Sequence, residues 1–162
     1  MSRMGDNCCI AVYDLPEGVE RALQAVEKEG RLRDRVSVVG AVSTPEAETA
    51  GDGEKGSDDS FWRGIAARLE SRMVRQPEDS RLLVVIGDLA APLQEARGGG
   101  REPFLWQVLG TIGVPCRDAC RYREAVVAGR HLVVVRGALP EVEQAHQTLL
   151  PTGPVDIAIH LG

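Results

Sequence analysis

The chain reads as an α+β domain of ferredoxin-like class. A β-α-β unit occurs twice, giving a four-stranded antiparallel sheet in the order 4-1-3-2, with a long, partly helical insertion between strands 2 and 3. Three observations predict this. A strand-helix-strand succession fills the first 42 residues, and a second fills Leu132–Leu161. The two helix openings share wording, LPEGVERAL at Leu15–Leu23 and LPEVEQAH at Leu139–His146, as an internal duplication would leave. At 162 residues, 43% of them hydrophobic, the chain suits one domain with a real core.

Cys8–Tyr13 is apolar on both alternating faces, which predicts a buried central strand. Asp14 can cap the next helix, Pro16 suits its first turn, and Val19, Ala22, Leu23 and Val26 recur at helical spacing up to Gly30. Val36–Val42 is the second strand; Ser37 and Gly40 within it predict an edge. Leu132–Val135 is consecutively apolar, hence central. A helix follows from Leu139, with Val142, Ala145 and Leu149 on one face and Pro151 and Gly153 at its end. Val155–Leu161 alternates, with Val155, Ile157 and Ile159 against Asp156, Ala158 and His160, which predicts a half-exposed edge strand.

Between the two units, residues 43–59 form an acidic stretch that predicts a flexible linker. Its six acids and one lysine account for the whole net charge of −5. Residues 60–115 predict a mostly helical insertion: Ser60 caps a helix carrying Phe61, Ile65, Leu69 and Met73, Leu82–Ile86 is extended, and Pro103 opens a second apolar helix through Leu109 and Ile112. A last helix spans Pro115–Ala128. Helices after strands 1 and 3 cover one sheet face only, so the insertion, together with a second copy in a homodimer, is expected to cover the other.

The remainder of the chain is formally neutral, which leaves no basic field for nucleic acid or anionic lipid. No apolar run reaches the ~18 residues of a membrane span. The N-terminal run ends at Asp14 without a small-residue cleavage site, and four cysteines make no disulfide scaffold. A cytoplasmic protein with reduced thiols is the expectation.

No catalytic constellation or cofactor motif emerges. Gly98–Gly100 precedes Arg101 and Glu102 rather than Gly-Lys-Ser/Thr, and Asp14-Leu15-Pro16 stands where a dinucleotide fingerprint would begin. Cys116 and Cys120, four apart on a helix, are weak candidates for a redox pair or half a metal site; two small core residues are the plainer reading. His160 and Asp156 share a strand face and predict a solvated pair. Tyr122 with Arg121, Arg123 and Arg130 can meet an anion, against the plainer reading of a solvated helix face. Trp62, Trp106 and Tyr122 are the candidate interface aromatics.

Several strings, in order, resemble the bacterial general-stress (heat-induced stress) protein family: Val12-Tyr13-Asp14, Gly30, Val36–Gly40, the central Leu83–Leu93 with Gly98–Gly100, Ile112–Pro115, then Ala119, Tyr122, Glu124, Gly129 and Leu132–Val135. The resemblance spans roughly residues 8–160 apart from the acidic stretch. Asp88, Glu95, Arg97, Arg101 and Glu102 interrupt the central segment, and Cys116, Arg117 and Arg123 stand where the family favours acidic residues. The resemblance implies a small bacterial stress-associated protein of no established molecular activity. The expected function is accordingly a non-enzymatic interaction or self-association domain, as a homodimer or with a protein partner. A small-ligand sensor is the alternative, and thiol redox or metal chemistry at Cys116 and Cys120 the second alternative.

Overall fold

A computed structural model describes residues 7–30, 35–43, 55–69, 73–78, 81–90, 109–110 and 113–161. The class is α+β with an antiparallel sheet, as the pattern predicts. The elements run β1 (Asn7–Tyr13), α1 (Pro16–Glu29), β2 (Val36–Ser43), α2 (Lys55–Leu69), β3 (Met73–Glu78), β4 (Arg81–Gly87), α3 (Cys116–Val127), β5 (His131–Gly137), α4 (Leu139–Leu149) and β6 (Asp156–His160).

The sheet has six strands rather than four, in the order β3-β4-β2-β5-β1-β6. Strands β1 and β5 pair side by side in antiparallel register, Cys9 opposite Val135 and Val12 opposite Leu132, and β6 flanks β1 on the outside. The expected edge at β2 is overturned: β4 pairs along its whole length, Ser37 opposite Gly87 and Ser43 opposite Arg81. The insertion is therefore not mostly helical where it is described. It contributes β3 and β4, and Met73 begins a strand instead of ending a helix.

Two features explain why β2 looked like an edge. The Ser37 hydroxyl is buried and accepts the Leu89 N–H at 2.8 Å, so it ties β2 to the turn after β4. Gly40 gives its missing side-chain volume to the Trp62 ring, which lies 2.6 Å from where a Cβ would stand. Both partners come from the insertion, beyond the reach of a local pattern.

Alternation along the strands sends side chains to two cores. On one face Cys9, Ala11 and Tyr13 meet α1 and α4 through Val19, Leu23, Val26, Val142 and Leu149; Trp62 and Ile65 of α2 extend this layer over Val84 and Ile86. On the other, Cys8, Ile10 and Val12 meet Ala119, Tyr122 and Val126 of α3, with Leu89, Leu109 and Val114 filling the rest. Each Val, Leu or Ile side chain among them gains about 1.5–3 kcal/mol from burial. Both sheet faces are thus covered by the chain itself, and the insertion supplies part of each cover.

Local signals set the helix ends. Leu15, not Asp14, occupies the N-cap of α1, with Pro16 as first helical residue; Asp14 instead takes Arg130 Nε at 2.8 Å. Gly30 closes α1 at φ 76°, its N–H on the Val26 carbonyl. Ser60 lies inside α2, which begins at Lys55, so it is no cap. Of the acidic stretch, Ser43 ends β2 and 55–59 open α2; 44–54 fall outside the described residues, as do most of the Pro103 helix and Trp106. Among the described residues no helix is long and apolar enough to cross a membrane.

Candidate functional site

The register of β6 on β1 decides which of its side chains meet α3. Cys8 pairs with His160, Ile10 with Ala158 and Val12 with Asp156, so these three β6 residues share the α3 side of the sheet. Helical spacing brings Asp118, Arg121, Tyr122 and Ala125 of α3 to the same place. Their meeting makes a polar cluster at the margin of an apolar core.

At its centre the Tyr122 hydroxyl lies 2.7 Å from His160 Nε2, with the rings edge to face at 5.7 Å. Asp118 Oδ2 stands 3.7 Å from His160 Nδ1 on the opposite side of the imidazole. This array suits a neutral imidazole protonated on Nδ1, with Tyr122 donating to Nε2. Burial pulls the His160 pKa below its ordinary 6.5, against an upward pull from Asp118. Burial likewise raises the Tyr122 phenol well above its ordinary range. The expectation of a solvated Asp156–His160 pair is overturned: His160 is buried, and Asp156 binds Arg121 instead.

Arg121 joins the two elements. Its guanidinium reaches Asp156 Oδ2 at 2.8 Å and Asp118 Oδ1 at 3.4 Å, and sits 5.1 Å over the Tyr122 ring. Beside it opens a groove of about 460 Å³. Val12, Ala125 and Val155 supply its apolar wall, and Arg121, Arg130, Glu124 and Asp156 its charged rim. Two guanidinium and two carboxylate groups balance among these lining residues, and Asp118 and Asp14 pair with the guanidinium groups from beside them. Such a rim suits a small molecule carrying both signs of charge better than a simple anion.

The other sequence candidates fall elsewhere. Trp62 is buried against Gly40, with Phe61 at 5.0 Å, and Tyr122 is buried beneath Arg121, so neither presents an open aromatic surface. Arg123 lies on α3 but not among the groove-lining residues. Cys116 and Cys120 sit one turn apart on α3, both exposed and free, rather than in the core. Among the described residues no group of three or more His, Cys, Asp or Glu is placed to hold a metal ion. Cys8 and Cys9 are buried on opposite faces. The signal missed in the sequence is Asp118, which only the β6 register brings to His160. No protein-family model matches the chain, and a search of curated proteins returns no match.

Proposed function

We propose that the chain is a non-enzymatic, self-associating interaction domain, active as a homodimer in the cytoplasm; its resemblance to general-stress proteins supports a bacterial, stress-associated role. The observation carrying this reading is an apolar rim at one end of the sheet. Leu15 follows β1, Leu150 follows α4 and Val155 precedes β6, and all three are more than half exposed. The Tyr13 hydroxyl on Thr152 Oγ1 at 2.6 Å and the Val155 N–H on the Val12 carbonyl at 2.8 Å hold these segments at the same end. Large apolar side chains kept wet together are costly unless a partner covers them. Light scattering over a concentration series tests the reading: a mass of twice 17.5 kDa is expected, and a single-chain mass throughout refutes it.

The groove favours a second reading, a regulatory domain for a small ligand. Its rim of both charge signs and its apolar wall fit a zwitterion of amino-acid size. Thermal shift against a panel of amino acids and simple anions tests it. A rise in Tm with zwitterions, lost in Arg130→Ala, is expected; no shift with any member of the panel removes the reading.

A further inference from the structure

We propose that the self-association surface is the open edge of β6, and that a second copy of this chain adds to it as an antiparallel strand with Ala158 on the two-fold axis. This deepens the self-association reading above and rests on it.

Among the described residues β6 has β1 on one side and no strand on the other, so alternate N–H and C=O groups along it point outward unpaired. The segment reads Val155-Asp156-Ile157-Ala158-Ile159-His160-Leu161. It is chemically palindromic about Ala158. Two copies run antiparallel about that residue set Ala158 opposite Ala158, Ile157 opposite Ile159, Asp156 opposite His160 and Val155 opposite Leu161. Three of these four pairings set apolar against apolar, and in the fourth Asp156, held by Arg121, faces the buried His160. Val155 and Leu161 are 54% and 62% exposed in the single chain, and this register covers each with the other. A one-residue slip would place Asp156 opposite an isoleucine or leucine and His160 opposite Val155 or Ile157.

The opposite edge sharpens the contrast. β3 contains Pro77, which has no N–H to offer, and the charged residues Arg75 and Glu78. Those are the devices that keep an edge from pairing. The interior of β6 is Ile157-Ala158-Ile159, with no proline, lysine or like charge to repel a second strand. A two-fold axis through β6 generates a continuous sheet of twice six strands and closes the assembly at two copies.

Charge placement at the exposed ends tests the register without touching the core. Wild type is expected to show twice the single-chain mass by light scattering. Val155→Lys with Leu161→Lys sets lysine opposite lysine at both ends and should give the single-chain mass. Val155→Lys with Leu161→Glu sets opposite charges together and should return the doubled mass. Circular dichroism confirms folding of each variant. As an independent readout, Ala158→Cys in a Cys116→Ser, Cys120→Ser background should form a disulfide-linked dimer on mild oxidation. Ile157→Cys in that background should not, because its own copy lies diagonally across, too far to bridge. A monomeric wild type overturns both this proposal and the self-association reading. A dimeric wild type whose Lys/Lys variant is also dimeric, or whose Lys/Glu variant is monomeric, overturns the β6 register alone, as does Ile157→Cys cross-linking in place of Ala158→Cys.

Discussion

Tyr122 and His160, 38 positions apart, share a buried hydrogen bond of 2.7 Å that fastens α3 to the outermost strand of the sheet. With the exposed Arg121–Asp156 ion pair it is the polar link between α3 and β6, because Ala158 between Asp156 and His160 offers only a methyl group to the helix side. Tyr122→Phe keeps the ring and leaves His160 Nε2 without its donor. The cost of a buried group stripped of its partner is about 1–3 kcal/mol. Urea unfolding should show that loss at pH 7, with an unchanged slope; a variant as stable as wild type would mean the bond adds nothing.

Acid should weaken the same joint. His160 binds its proton less readily folded than unfolded, so the unfolded chain takes up more protons as pH falls below the ordinary 6.5. The stability attached to neutral His160 is full above that pH and is lost progressively as pH drops toward the lowered folded value. The limiting slope is about 1.4 kcal/mol per pH unit. Comparing urea midpoints of wild type and His160→Gln from pH 8 to pH 5 isolates this residue from His131 and His146. The wild type should fall more steeply than the variant below pH 6.5, and parallel curves would remove His160 as the cause.

The alkaline limb has the opposite sign and a different source. Burial pushes the Cys8 thiol from 9.0 up to about 12, with some help from Cys9, and burial alone does the same to Cys9. Folded, both hold their protons where the unfolded chain releases them. Stability tied to them is complete below pH 9 and declines as pH rises from 9 toward 12. Cys8→Ala with Cys9→Ala should start less stable, through lost packing, and show a shallower decline above pH 9. Equal alkaline slopes in the two proteins would contradict the assignment.

Much of this architecture is local and therefore legible in sequence. Cys8–Tyr13 and Leu132–Val135 are apolar on both faces because each is sandwiched between two helical layers, and a run of that kind announces its own burial. β2 reads as an edge in sequence because its polar and small residues answer to partners 22 to 52 positions away: Trp62 for Gly40, Leu89 for Ser37. The groove divides similarly. Arg121, Tyr122 and Arg130 stood out together on one short stretch. His160 did not join them, since strand alternation gives its face and not what lies above that face. Asp14 shows the same limit: it carries a helix-cap signal, yet a long-range arginine claims it.

Gly87 ends β4 at φ +109°, and a Cβ there would collide with the Val36 carbonyl oxygen. That oxygen already accepts the Asp88 N–H at 3.1 Å, so it is not free to move. Gly87→Ala meets both a disfavoured backbone angle and fixed backbone, and should cost about 2 kcal/mol or more. Gly40→Ala meets side chains rather than backbone, the far edge of the Trp62 ring and, less closely, the His131 ring, and pairing it with Trp62→Phe should recover part of its loss. Thermal unfolding of the three variants checks the distinction. A Gly87→Ala protein that melts with the wild type would show that the turn can rearrange.

Ser37 offers the sharpest test of how the insertion is joined to the sheet. Its hydroxyl is the acceptor for the Leu89 N–H, and both groups are removed from water. Ser37→Ala deletes the acceptor and leaves that N–H buried and unpaired, at a cost of about 1–3 kcal/mol. Ser37→Thr keeps the oxygen but adds a methyl group to a filled site, so its penalty comes from crowding instead. Hydrogen exchange separates the two. In Ser37→Ala the Leu89 amide should lose protection beyond the drop shared by the β1 and β5 amides. In Ser37→Thr all three should fall together. If Leu89 keeps its relative protection in Ser37→Ala, the turn after β4 is held by the Asp88 contacts alone, through its N–H on Val36 and its carboxylate on Arg136 at 2.8 Å.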